Sequence, residues 1–141
     1  MKKFATLTFA LLLGLTVTGT AHANPARDAI IAKLQAQASQ PFSAERGKAF
    51  YLKDWSGERD AAASDPETPS CTACHSTNPR NETKHAKTGK VKPPIAVSAT
   101  PDRFTDPDNV EKWFRRNCNG VLGRECTAQE KGDFLTFMIG Q

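Results

Sequence analysis

Five consecutive residues, Cys71-Thr72-Ala73-Cys74-His75, combine two thiols and an imidazole at a spacing that can do specific chemistry. Thiols three positions apart on one turn can each add to one of the two vinyl groups of a haem. The imidazole that follows then lies beneath the iron and supplies one axial ligand. C-x-x-C-H is the attachment order of a c-type haem. The competing readings are a disulfide, a zinc half-site and a thioredoxin-like pair. Zinc needs two more ligands at similar spacing, and the remaining cysteines, Cys118 and Cys126, do not form a second C-x-x-C. A thioredoxin-like pair belongs in a βαβ pattern, and none is visible.

The other side of the iron is the next question. Electron-transfer haems with one histidine usually take methionine or histidine as the second ligand. Beyond Met1 the chain has only Met138, on the apolar face of the last predicted helix, where a core role is expected. His85 lies in a polar run with nothing apolar around it to bury it over the iron. Lys92, like other lysines, would need burial and loss of its proton. No strong-field ligand stands out, which points to an open site or to a weak ligand.

The elements that must position these residues follow from patterning. Lys2 and Lys3, an apolar run from Phe4 to Val17 and the small-x-small pattern Ala21-His22-Ala23 read as a secretory signal over residues 1–23. The run is shorter than the ~20 residues of a spanning helix. Cleavage after Ala23 removes two lysines from a formal charge of +4. The remainder, 24–141, is too weakly basic to imply nucleic acid and is expected to be one domain with no membrane span. The Lys-Lys start and compact signal look bacterial, so the compartment expected is the periplasm, where disulfides persist.

Few strand-like runs are present, and the fold class expected is all-α. The pattern predicts a helix over Asn24 to Gln40, with Ile30, Ile31 and Leu34 as a narrow stripe, ended by Pro41. A second helix, Ala44 to about Trp55, is capped by Ser43, and Gly47 in it would allow a close helix crossing. Ser56 to Ser70 reads as a surface loop. Ser76 to Lys92 is polar. Its cations Arg80, Lys84, Lys87, Lys90 and Lys92 face a single acid, Glu82, and are either a solvated loop or a docking surface for an acidic redox partner. Pro93 to Val97 is extended. A rigid segment there, with Pro94 at its centre, can offer a backbone carbonyl to the Nδ1–H of His75. Thr105 or Asp106 caps a third helix with Pro107 in its first turn. Val110, Trp113 and Phe114, at i, i+3 and i+4, form an aromatic face that is either core or haem wall, and Arg115 and Arg116 lie near its end, where positive charge suits the dipole. The stretch from Asn117 to Cys126 reads as a loop. Its two cysteines are expected to close it as a disulfide, with free thiols or a second redox pair as alternatives. Thr127-Ala128-Gln129-Glu130 is a capping box opening the last helix, whose apolar positions are Phe134, Leu135 and Met138. That helix is expected to cross the one containing Gly47 and Phe50.

The order helix, C-x-x-C-H, proline-containing segment, helix, loop, helix resembles a small class I c-type cytochrome. More narrowly, residues 101–107 (Pro-Asp-Arg-Phe-Thr-Asp-Pro), 110–118 and 123–131 resemble the sphaeroides haem protein (SHP) family. The resemblance implies one high-spin haem c, an asparagine side chain as distal ligand, a disulfide beside it and reduction by a dihaem c-type cytochrome. The asparagine next to the first of the two cysteines matches Asn117, with Asn119 as a rival. Ser76 departs from the glycine that many class I cytochromes have after the histidine.

Two functions are therefore in play. One is a ligand-binding redox protein: its asparagine distal ligand is displaceable, a neutral amide oxygen being a weak donor that suits ferric better than ferrous iron, and it binds oxygen, nitric oxide or a similar small molecule, with slow terminal-reductase turnover as an extension. The other is a low-spin electron carrier using His85, Met138 or a lysine. A haem-based gas sensor would need an output domain, for which 24–141 leaves no room.

Overall fold

The computed structural model describes residues 24–85 and 88–141. Residues 1–23, expected to be the export signal, and Lys87 lie outside the described residues. The elements are α1 (Pro25–Gln35), α2 (Ala44–Leu52), α3 (Thr72–His75), a short antiparallel hairpin of β1 (Thr83–Lys84) and β2 (Val91–Lys92), α4 (Pro107–Leu122) and α5 (Ala128–Ile139). Thr83 pairs with Lys92 and Lys84 with Val91. No helix among the described residues is long and apolar enough to cross a membrane.

Helix starts follow the caps. The Ser43 hydroxyl accepts from Arg46 N–H, Asp106 rather than Thr105 caps α4, and Thr127 and Glu130 form the reciprocal capping box of α5. Helix ends depart from expectation. α1 stops at Gln35, five residues short, and α2 stops at Leu52. α4 runs on through Asn117, Cys118 and Asn119 to Leu122, ending at Gly123 in the left-handed region (φ 71°). The asparagines and the first cysteine are therefore on a helix, not in a loop, and Arg115 and Arg116 are mid-helix rather than in the last turn. The disulfide Cys118–Cys126 forms, joining α4 to the segment before α5.

The expected crossing is present. A side chain on Gly47 would meet the Asp133 carbonyl oxygen at 1.9 Å and the Phe137 Cβ at 2.9 Å, so only glycine lets α2 and α5 approach this closely. Asp133, buried on α5, accepts from Ser43 N–H (2.7 Å), Arg46 Nε (2.8 Å) and Nη2 (2.9 Å) and Gln129 Nε2 (3.1 Å). Burial alone would raise the Asp133 carboxyl pKa. The hydrogen bonds from Arg46, Ser43 and Gln129 outweigh it and hold the group below its ordinary value. Phe134 links the layers, with ring centroids 5.5 Å from Phe114, 6.2 Å from Tyr51 and 6.3 Å from Phe104. Met138 is fully buried in a cluster with Tyr51, Ile95 and Phe137.

The 53–70 segment has no long helix, but it is not a free surface loop. Trp55 is in the core. Asp60 N–H donates to Leu122 O (3.1 Å) and Asp65 N–H to Gly120 O (2.7 Å), so this segment caps the C-terminal turn of α4.

Candidate haem-binding site

Cys71 opens the single turn of α3 in helical conformation. The Ser70 hydroxyl accepts from Ala73 N–H (3.2 Å), and His75 N–H donates to Cys71 O (3.1 Å). Such a short helix has almost no internal bonding, so its carbonyls must find partners elsewhere. Thr83 Oγ1 on β1 donates to Cys74 O (2.7 Å). The Tyr51 hydroxyl on α2 is shared between His75 O (3.0 Å) and Ser76 O (2.5 Å). The turn is thus held from α2 on one side and from the hairpin on the other. Tyr51 is fully buried. Its polar role has no signature in one sequence, because the partner carbonyls are 24 and 25 residues away.

Ser76 follows the histidine with φ 55°, a left-handed conformation that favours glycine. This accounts for the glycine common at that position in class I cytochromes. Here the Ser76 hydroxyl accepts from Asn78 N–H (3.1 Å) and lies 3.1 Å from Asn78 O, a local bond that offsets part of the strain.

The chemistry of these donors fits a haem. Cys71 and Cys74 are free, whereas Cys118 and Cys126 are bonded. Burial pushes the Cys71 thiol up to about 12, which opposes a zinc thiolate but not a neutral thioether. Among the described residues no group of three or more His, Cys, Asp and Glu side chains is placed to hold a metal ion. Burial first, then the charges of Arg103, Lys92 and His85, lowers the His75 pKa to about 4, so the imidazole is neutral with a lone pair to donate.

On α4, Val110, Phe114, Cys118, Val121 and Leu122 are buried. Trp113 is not on that face. It is 39% exposed, so of the two expected roles, core or haem wall, the core one falls to Phe114, through which the buried stripe runs. Asn117 is one turn beyond Trp113 on the same edge and is exposed; Asn119 is also exposed but lies about 200° further round the helix. Lys92 connects Trp113 to the Cys71–His75 turn. Its Nζ is 5.6 Å from the Trp113 ring centre, and on the hairpin it pairs with Thr83, which bonds the Cys74 carbonyl. Trp113 therefore lies against the hairpin that holds α3. A large exposed aromatic beside a neutral amide suits the wall of an apolar, planar cofactor.

The remaining predicted residues are distributed as follows. Arg80, Lys84 and Lys90 are exposed, Lys92 is half-buried, and His85 is half-buried next to β1. Pro94 is in the extended segment, which is held by Ile95 and Ala96 N–H bonds to Pro79 O (3.0 Å each). Its carbonyl accepts from Thr100 Oγ1 (3.0 Å) and Arg103 Nε (3.1 Å).

A family model described as a domain of unknown function, DUF1924, matches residues 37–138. The cytochrome c-type protein SHP of Cereibacter sphaeroides is 43% identical over 136 residues, which is 96% of this chain and all of that one. A solved structure of oxidised SHP, an oxygen-binding cytochrome c, superposes with a TM-score of 0.74 at 44% identity, covering 82% of this chain and 96% of that one. The crystal structure of oxidised cytochrome c'' from Methylophilus methylotrophus gives a TM-score of 0.64 at 30% identity, covering 80% and 92%.

Proposed function

This chain belongs to the SHP family of c-type cytochromes, and from that premise we propose that it is a periplasmic monohaem cytochrome, exported by residues 1–23, whose single domain (24–141) binds a small neutral ligand such as oxygen or nitric oxide. The observation that carries the reading is the exposed Trp113–Asn117 edge of α4, whose Trp113 meets Lys92 of the hairpin that holds the Cys71–His75 turn.

When bound, the haem supplies a one-electron couple and an axial position for a small ligand. Cys71 and Cys74 would hold it covalently through Sγ. His75 presents a neutral imidazole, its backbone fixed by Tyr51 and Thr83. Asn117 offers its amide oxygen as a displaceable distal donor, and its N–H₂ can then donate to an incoming ligand. The helical position of Asn117 confines this exchange to side-chain rotation. The Cys118–Cys126 bond ties the adjacent residue of α4 to the start of α5. Arg80, Lys84, Lys87, Lys90 and Lys92 provide positive charge for docking a dihaem c-type cytochrome as electron donor, so reduction should slow as ionic strength rises.

The electron-carrier alternative finds less support. Met138 is fully buried in the core cluster. His85 directly follows β1, the strand whose Thr83 holds the Cys74 carbonyl.

The test is the absorption and EPR spectrum of the haem-loaded protein, ferric and ferrous, with and without carbon monoxide. High-spin signals and carbon monoxide binding by the ferrous form are expected. A low-spin spectrum in both states, indifferent to carbon monoxide, would make it an ordinary carrier. Asn117→Val should change the ferric spectrum and leave the melting temperature nearly unmoved. An unchanged spectrum removes Asn117 from the site.

A further inference from the structure

The residue after His75 is held in a conformation that serine avoids. Ser76 has φ 55° with ψ 173°, at the border of a region that essentially only glycine visits. A single hydroxyl meets it there. Tyr51 is 0% exposed, and its ring centre lies 5.8 Å from that of Phe137 and 6.2 Å from that of Phe134, so the phenol is fixed by packing. Its hydroxyl reaches His75 O (3.0 Å) and Ser76 O (2.5 Å). Extended backbone sends successive carbonyls to opposite edges; at Ser76 both turn to the same oxygen. That hydroxyl has one proton to donate, so the two carbonyls share it. The helix that carries Tyr51, α2, is itself locked against α5 by the close approach at Gly47.

We propose that Tyr51 is a positioning residue for His75: its hydroxyl latches Ser76 at positive φ, and this fixes the direction in which the preceding imidazole leaves the turn. The inference rests on the haem reading above. A serine in this conformation is strained, and such strain persists only where surrounding groups over-determine it. The bond from Asn78 N–H to the Ser76 hydroxyl is local and exposed, so it moves with the chain it would have to hold. Tyr51 anchors from outside the turn, 24 and 25 residues away. Thr83 holds the preceding carbonyl, Cys74 O (2.7 Å), and Tyr51 takes the next two. The latch accounts for serine at a position where many class I cytochromes have glycine. Glycine adopts positive φ unaided; serine keeps it here because a buried hydroxyl holds both flanking carbonyls. The rigid α2–α5 crossing is thereby tied to the backbone of the iron's histidine.

The experiment is a double-mutant cycle on the haem-loaded protein: wild type, Tyr51→Phe, Ser76→Gly and the two together. A pyridine haemochrome assay first measures covalent haem per chain; its absence in the wild type would end the haem reading itself. The ferric EPR spectrum, which registers the axial histidine whatever stands opposite it, is then recorded for each. Tyr51→Phe should broaden the wild-type lines, because an unlatched serine leaves positive φ and the ring takes several directions. Ser76→Gly should keep the wild-type spectrum. Tyr51→Phe added to Ser76→Gly should broaden the lines far less than it does alone, since glycine holds that φ at no steric cost. Wild-type lines in Tyr51→Phe overturn the proposal. So does equal broadening by Tyr51→Phe with and without Ser76→Gly, or broadening by Ser76→Gly alone. Where Tyr51→Phe carries no haem, adding Ser76→Gly should restore it, and no haem in either variant also overturns the proposal.

Discussion

The crossing of α2 and α5 and the outer edge of α4 are completed by different means. At the crossing, every contact is supplied by the chain: Gly47 against the Asp133 carbonyl, four hydrogen bonds onto the Asp133 carboxylate, and the Tyr51–Phe134–Phe137 rings. At the α4 edge, Trp113 and Asn117 are exposed, and the Cys71–His75 turn is a single helical turn suspended from Tyr51 and Thr83. The first region is a scaffold that excludes alternatives. The second is a surface whose chemistry depends on a haem, as its c-type cytochrome relatives imply.

The largest effect expected is on the second region alone. Replacing Cys71 and Cys74 with serine should abolish covalent haem completely, read as loss of the pyridine haemochrome, while the α2–α5 scaffold retains its helical circular dichroism. Collapse of the helical signal as well would show that the two regions are not separable. Gly47→Ala attacks the scaffold. The added methyl meets backbone, not a movable side-chain end, and should cost about 3 kcal/mol by urea titration. A loss under about 1 kcal/mol would mean that the helices slide apart freely.

The disulfide lies between the regions. Cys118→Ser with Cys126→Ser should cost about 2–3 kcal/mol, from the short loop it closes. It should also speed exchange of the distal ligand if Asn117 is restrained through Cys118. Unchanged ligand-binding rates would make the bond a staple of the fold only. The smallest effect belongs to Asp133→Asn, about 1 kcal/mol at neutral pH, because the amide keeps one acceptor for Ser43 or Gln129. Its sign with pH is definite. The folded-state pKa of Asp133 is depressed, so its contribution is fully present above the unfolded value of about 3.9 and fades as pH falls through the folded one. The gap between wild type and variant should therefore close in acid. A constant gap from pH 7 to pH 2 would count against the ionised carboxylate.

Much of this was legible beforehand wherever the determinant is local. The Ser43 and Thr127 caps, Pro107 at the start of α4 and the glycine at the crossing each act within one turn of themselves or by the absence of a side chain. The errors came where distant chain decides. Asn117 to Leu122 reads as a loop because of two asparagines, a cysteine and a glycine, all poor helix formers. It is helical because one face buries Cys118, Val121 and Leu122, and because Asp60 and Asp65 N–H groups satisfy its last carbonyls. Spacing puts Trp113 with Val110 and Phe114 on one face, core or haem wall, and only packing decides that Phe114 takes the core place.

The sequence by itself determined the reactive set: two thiols and an imidazole on one turn, a second cysteine pair eight residues apart, and helices delimited by their own caps. Covalent order and short-range hydrogen bonds suffice for those. Only the tertiary structure decided that Trp113 meets the hairpin at Lys92, that Tyr51 and Thr83 hold the Cys71–His75 turn, and that Arg103 reaches the Pro94 carbonyl while Arg27 holds the carbonyls of Pro101 and Arg103. These depend on groups 9 to 76 residues apart, whose meeting is set by how the helices pack and not by any local preference.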